Sequence, residues 1–305
     1  MNSAPGGQAL EVGASRVALQ IAGVRMLAES ADPRLRFALS EVAQRFACSP
    51  DRPDVTSQIS CADLRRPLPG RLLFNSGSLW QLWDDGGHPI LRLVSPAFGP
   101  VPYKVAYLDP DWKTARVEIH EGHPRYWQSG RTLNPFEYPL DELTLVHWLA
   151  QGRGIELHAC GLVADQDGGW IFCGQSGAGK STTARLWQNV RPTRILSDDR
   201  IIVRQEEGTF WMYGTPWHGE AAFACAERVR VKGIFLLKQA RRPRLLRLAP
   251  AVAVARLLAC AFFPFYRSDA LAFQMAFAER LLTEVPCLEL EFSRDSGFVD
   301  LLTNV

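Results

Sequence analysis

The run Gly174-Gln175-Ser176-Gly177-Ala178-Gly179-Lys180-Ser181 constrains the chain more than any other stretch, because it matches the pattern G-x-x-x-x-G-K-[ST] in full. Its flanks give the match weight. Gly168-Gly169 opens a turn, Trp170 to Cys173 reads as a strand, and Thr182 to Val190 has helical character, so the glycine loop falls where a strand passes into a helix. Glycines permit positive φ and a close backbone approach, which lets successive N–H groups point at phosphate oxygens beside the positive end of a helix dipole. Gly174, Gln175, Ser176, Gly177, Ala178, Gly179, Lys180, Ser181 and Thr182 are therefore expected to cradle a nucleoside triphosphate. Lys180 supplies charge to the outer phosphates, and the Ser181 hydroxyl is an oxygen ligand suited to Mg²⁺. A glycine-rich turn matching by chance is the competing reading, and the strand and helix on either side weigh against it.

A second cluster is Ile195-Leu196-Ser197-Asp198-Asp199, followed by Arg200 and the apolar run Ile201-Ile202-Val203. Carboxylates at a strand's C-terminal end face the same crevice as the glycine loop, where one can hold the Mg²⁺ shell and the other can act as a base. Adjacent side chains point apart, so the two acids should have different tasks. Asp-Asp also makes a good turn, and the glycine loop is what favours chemistry. A third cluster, Gly214-Thr215-Pro216-Trp217-His218-Gly219-Glu220, comes after the strand Phe210 to Tyr213 and offers Glu220 to complete a metal site. A hairpin loop with a packed Trp217 is the plainer alternative. His158, on the strand before the loop strand, is placed to contact phosphate or tune the base, and a satisfied core histidine is equally compatible.

A chain of 305 residues has room for two domains. Residues 1–13 read as a flexible tail, 14–150 as a strand-rich α+β lobe with a possible role in substrate recognition, and 151–305 as an α/β nucleotide-binding domain. Arg16 to Ala28 suits a strand pair. Asp32-Pro33 supplies an N-cap and a first-turn proline, and Leu35, Ala38, Leu39, Val42 and Phe46 then recur at helical spacing. From Gly70 to Arg131 short alternating runs separated by turn clusters, such as Asp84-Asp85-Gly86-Gly87, predict antiparallel strands. The Trp and Tyr residues of this lobe suit a peptide groove or, more simply, sheet packing. Pro139 to Ala150 predicts a helix, broken by Gln151-Gly152-Arg153-Gly154; Asp269 to Val285 predicts another, and Leu288 to Phe292 a strand.

Ala251 to Phe265 is the longest apolar stretch, but Arg256 interrupts it and it is too short for a bilayer, so it predicts a buried helix and no membrane span. Seven cysteines, odd in number and without a C-x-x-C pair, fit a reducing, cytoplasmic compartment. The formal charge of +2 is too mild to call for nucleic acid. The basic run Lys238 to Arg247 suits either an acidic substrate or a solvated loop.

GQSGAGKST, with SDD after a short strand, resembles the bacterial HPr serine kinase/phosphorylase group and its smaller HPr-kinase-like relatives. The LHACG segment around His158, the glycine loop, the Asp pair and the GTPWHGE loop stand in the same order over roughly residues 155–235. The resemblance implies a P-loop kinase domain related to the phosphoenolpyruvate carboxykinase core, with ATP and Mg²⁺ as its requirements. It implies Lys180 on the phosphates, Ser181 on Mg²⁺, Asp198 as proton acceptor from a substrate hydroxyl, Asp199 near the metal, and Glu220 near the place of a second metal ligand. His158 matches the group's active-site histidine, offset by one inserted residue. The R-G-L-G signature of true HPr kinases is absent, so the resemblance does not extend to HPr as substrate, reverse phosphorylase activity or a hexamer. The reaction it implies is transfer of the γ-phosphoryl of ATP to a hydroxyl, a serine of a protein or of a ribosomally made peptide, with Arg200, Arg228 or Arg230 as unranked candidates to steady the transferring group. An ATPase or nucleotide-gated regulatory protein without a phosphorylated product, or a peptide-binding module, is the alternative.

Overall fold

A computed structural model describes residues 15–122, 132–165, 168–190, 193–293 and 297–303. The expected tail, 1–13, lies outside the described residues. The chain divides into two compact units, Met1–Trp148 and Leu149–Val305. Both are strand-rich mixed sheets with a few helices, and among the described residues no helix is long and apolar enough to cross a membrane.

The N-terminal unit is built on strands β1 (Arg16–Ile21), β2 (Val24–Glu29), β3 (Arg36–Phe37), β4 (Val55–Ala62), β5 (Arg71–Asn75), β6 (Trp80–Asp85), β7 (His88–Ser95), β8 (Gly99–Leu108), β9 (Thr114–His120) and β10 (Thr132–Leu133). Eight of them form one sheet in the order β1-β2-β4-β9-β8-β7-β6-β5. The meander from β5 to β9 arises from local chemistry. Gly86 and Gly87 sit at φ +61° and +91° between β6 and β7, the two positive angles that a tight two-residue hairpin requires. The parallel pairs β2–β4 and β4–β9 have no such local cause and come from packing between distant segments.

The helix expected after Asp32-Pro33 is not formed there. Residues 36–37 are extended and pair with β10, and the helix α1 spans only Glu41–Gln44, with the Ser40 hydroxyl accepting from the Ala43 N–H as its cap. Asp32 instead accepts from the Arg34 N–H and guanidinium, so its side chain closes a turn rather than starting a helix. Of this unit's described Trp and Tyr residues, Tyr103, Trp112 and Trp148 are buried and Tyr138 is exposed, and Trp112 stacks on His147 at 3.8 Å between ring centroids. Helix α2 spans Leu140–Leu149.

The C-terminal unit holds β11 (Ile155–Asp165), β12 (Gly168–Cys173), α3 (Lys180–Val190), β13 (Ile195–Ser197), β14 (Arg200–Glu206), β15 (Thr209–Tyr213), β16 (Arg228–Gln239), β17 (Arg244–Arg247), α4 (Pro250–Leu258), β18 (Ala261–Phe262), α5 (Ser268–Glu284), β19 (Cys287–Phe292) and α6 (Gly297–Thr303). Strand order is β12-β11-β14-β15-β16-β19-β17, and β12 also pairs with β16, so five strands close on themselves. The long strands allow it. Residues 155–158 of β11 pair with β14 and residues 159–165 with β12, while β16 passes from β15 to β12 in the same way.

Strands β12, β16 and β19 run parallel, and the first two are buried on both sides. Ile171, Cys173, Ile234 and Leu236 enter one core, which α5 closes with Phe277, Ala278 and Leu281. Phe172, Phe235 and Leu237 enter another, closed by Ala184 and Trp187 of α3 and by Phe298 of α6. Phe172 and Phe235 stack at 5.2 Å, and truncating such a ring to Ala costs about 3–5 kcal/mol. These two layers hold the C-terminal end of β12, and hence the glycine loop, from both faces.

Two expectations are corrected here. The apolar run 251–265 is not one buried helix: α4 ends at Leu258, buries Ala253 and Leu257, and leaves Val252 46% exposed. Pairing of β18 with β11 claims Ala261 and Phe262 for a sheet, which outweighs their helical propensity. The basic run 238–247 is neither a loop nor a free surface patch along its whole length, since Lys238 and Arg244 form ion pairs with Glu289 and Glu291 across β16, β19 and β17.

Candidate functional site

Strand β12 ends at Cys173 and α3 begins at Lys180, so Gly174 to Gly179 form the turn between them. The turn is held from within and from outside. The Ala178 N–H donates to the Gln175 carbonyl at 3.0 Å, the Thr183 N–H and hydroxyl both reach the Gly179 carbonyl, and Gln239 at the end of β16 donates to the Gly177 carbonyl at 2.8 Å. Gly177 and Gly179 take φ +79° and +109°. A side chain at Gly179 would also run into the Phe292 ring, so that position combines a conformational and a steric demand for glycine.

Lys180 is buried, 6% exposed, and its ammonium folds back over the loop to donate to the carbonyls of Gly174 at 2.9 Å and Gln175 at 3.3 Å. Burial lowers its pKa, against the opposing pull of Asp199. The loop lines a cavity of about 410 Å³, whose other walls include Leu237, Gln239, Arg256 and Cys260.

The two acids after β13 occupy different environments. Asp198 is fully buried and accepts four hydrogen bonds: from the Ser181 hydroxyl at 2.9 Å, and from the N–H groups of Gly219 at 3.0 Å, Ala221 at 3.0 Å and Phe223 at 3.3 Å. The segment after β15 is therefore wrapped around one carboxylate. Gly219 is required by this closeness, because a Cβ there would lie 2.7 Å from Asp198 Oδ2 and 3.3 Å from Ser181 Oγ. Thr215 steadies the same segment by donating to the Arg200 carbonyl at 2.8 Å, and the Ser197 hydroxyl accepts from the Asp199 and Arg200 N–H groups.

Asp199 points the other way. Its Oδ1 lies 2.9 Å from His158 Nε2, and its Oδ2 pairs with Arg200 Nη1. Burial pushes its pKa up, but the His158 hydrogen bond and the charges of Arg200 and Lys180 outweigh that and hold the carboxyl below its ordinary value. His158 sits on β11 in register with Arg200 of β14, and its ring is tilted against Phe262 at 5.8 Å.

Ser181 is thus paired with Asp198 and His158 with the adjacent Asp199, and Lys180 is near enough to Asp199 to feel its charge. Glu220 is not joined to them in the same way: its residue is exposed, its backbone carbonyl accepts from Arg185 at 3.1 Å, and among the described residues no group of three or more His, Cys, Asp or Glu side chains is arranged to hold a metal ion. The three arginines separate clearly. Arg200 is at the site, whereas Arg228 pairs with Glu206 and Tyr213 and lies over the Trp211 ring, and Arg230 is exposed on β16. Sequence reasoning passed over Glu156, whose side chain is fully buried beside Arg200 at 3.6 Å. The available signal was a lone acid two residues before His158 in an apolar strand, hence on the same face.

No protein-family model and no curated protein matches the chain. Among solved structures, the Hpr(Ser) kinase/phosphatase from Coxiella burnetii is similar over 42% of this chain and 92% of that chain, with 17% identity and a TM-score of 0.23.

Proposed function

We propose that the C-terminal unit binds ATP with Mg²⁺ through the loop Gly174–Thr182 and transfers the γ-phosphoryl group to a hydroxyl, that of a serine on a protein or peptide. The observation that carries this reading is the joining of Ser181, Asp198, Asp199 and His158 at the mouth of the loop. Phosphoryl transfer asks little covalent chemistry of a protein, so positioning and charge supply most of the effect. A kinase domain of the phosphoenolpyruvate-carboxykinase type is the finer fold reading that accords with this order of motifs.

The donor set suits the metal. Ser181 Oγ and the Asp198 carboxylate are oxygen donors 2.9 Å apart, and Gly219 packs directly against both. When bound, Mg²⁺ would neutralise charge on the phosphate oxygens, held by Ser181 and Asp198. Asp198 supports the metal through Ser181, whose hydroxyl donates to it, and is not free to take a proton, since three backbone N–H groups and that hydroxyl fill its acceptor positions, whereas Asp199 meets only His158 and Arg200. We therefore assign the proton-accepting role to Asp199, exchanging the roles that the family resemblance implies. Asp199 is the less buried of the two acids, stays ionised through its lowered pKa, and has His158 against one oxygen to orient it. Lys180, released from the Gly174 and Gln175 carbonyls, supplies a positive charge to the phosphates.

Incubation of the protein with Mg·ATP and candidate serine-containing peptides, read by intact mass, tests the reading. A mass gain of one phosphoryl group on a peptide, lost in Asp199→Asn, supports it. Release of inorganic phosphate with no phosphorylated product would assign ATP hydrolysis instead.

A further inference from the structure

Asp199 is held by a second layer of residues, and the inference drawn from it rests on the proton-accepting role proposed above. Glu156 lies on β11 two residues before His158, so both side chains leave the strand on one face. Its neighbours in sequence, Ile155 and Leu157, are fully buried on the opposite face. A fully buried carboxylate is costly unless a cation meets it. Arg200 does so through Nε, 3.6 Å from Glu156 Oε1, while its Nη1 pairs with Asp199 Oδ2. The guanidinium carbon also lies 4.2 Å from the centroid of the Phe262 ring. Strand pairing brings Phe262 to this spot, since it stands opposite Glu156 in the β18–β11 register.

We infer that Glu156 is a positioning residue: it fixes Arg200, and Arg200 fixes Asp199 Oδ2 so that Oδ1 faces His158. Neither Glu156 nor Arg200 touches the reacting atoms. Arg200 is engaged on three sides, by Glu156, Asp199 and Phe262, which suits a brace better than a group that must swing onto phosphate. The planar fork of a guanidinium presents its donors in fixed directions, which holds two carboxylates in one geometry more firmly than a lysine ammonium does.

The test compares wild type, Glu156→Gln, Arg200→Gln and the double variant, each labelled with ¹⁵N-histidine and free of nucleotide. Glu156→Gln is expected to move the His158 Nε2 resonance, and the double variant is expected to move it no further, because both substitutions break the same chain of contacts. With Mg·ATP turnover to water as the probe reaction, kcat falls about tenfold in Glu156→Gln while KM for ATP stays within about twofold. If the Arg200→Gln single variant fails to fold because it strands the buried acid, the double variant, a neutral pair, supplies the same comparison. An unmoved His158 resonance in folded Glu156→Gln, or effects of the two substitutions that simply add, overturns the inference. A wild-type protein that transfers no phosphoryl group from Mg·ATP to any serine peptide defeats the phosphotransfer reading instead, and the histidine resonance still decides the positioning role.

Discussion

Ser181 Oγ donates to Asp198 Oδ2 across 2.9 Å, joining the first turn of α3 to the end of β13. The contact links the glycine loop to the acid pair, two features that are separate in sequence. The same carboxylate is what the segment after β15 folds around.

Asp198→Asn should therefore unfold more easily as well as lose activity. A carboxamide presents an NH₂ group where a carboxylate oxygen accepted, so at least one backbone N–H faces a donor. The expected loss is about 2–4 kcal/mol, from charged hydrogen bonds given up and a buried donor left unmet. Urea denaturation followed by tryptophan fluorescence measures it, and a midpoint equal to wild type contradicts the structural role.

Asp199→Asn should behave differently. Asp199 has one side toward His158 and one toward Arg200, and no backbone segment depends on it. Binding of Mg·ATP is expected to survive within about threefold while transfer falls by about 10² to 10⁴, the usual worth of a positioned base. Single-turnover measurements with γ-labelled ATP separate the two effects.

Gly219→Ala places a methyl group 2.7 Å from Asp198 Oδ2 and 3.3 Å from Ser181 Oγ. The methyl would crowd the Ser181–Asp198 pair proposed to hold the metal. The concentration of Mg²⁺ needed for half-maximal turnover should rise by about tenfold or more. An unchanged Mg²⁺ requirement argues that the metal is held elsewhere.

The lowered pKa of Lys180 sets a pH dependence. In the folded protein burial favours the neutral amine, so the ammonium that a triphosphate needs is lost at a lower pH than for an ordinary lysine. Affinity for Mg·ATP should be highest below that pKa and fall as pH rises through it, with proton uptake on binding in the same range. The stability effect has the opposite sense: the cost of burying the ammonium is present below the lowered pKa and is relieved as pH rises toward the ordinary lysine value of 10.5. Calorimetric titrations in buffers of different ionisation enthalpy read the proton uptake directly, and heats independent of buffer at alkaline pH argue against it.

Much of the C-terminal unit was legible in the sequence because its signals are local. The loop is eight contiguous residues between an apolar strand and a helix, and the strand from Cys287 to Phe292 and the helix from Ser268 to Glu284 obey their own periodicity. The features that escaped were set by contacts distant in sequence. The roles of Asp198 and Asp199 depend on which acid the N–H groups of Gly219, Ala221 and Phe223 reach, and no spacing announces that. Glu156 looked like an isolated strand acid until Arg200 was placed beside it. The helix expected over residues 35–46 was lost for a like reason, since Phe37 pairs with Leu133, nearly a hundred residues away, and pairing of that kind outweighs a helical stripe.

The central claim is that this loop binds a nucleoside triphosphate, and isothermal titration of Mg·ATP into the whole protein and into Lys180→Ala tests it most directly. Saturable binding by wild type that weakens by about tenfold or more in Lys180→Ala is the predicted result, the size expected for loss of a charged phosphate contact. Equal binding by the two proteins, or no binding by wild type, contradicts it.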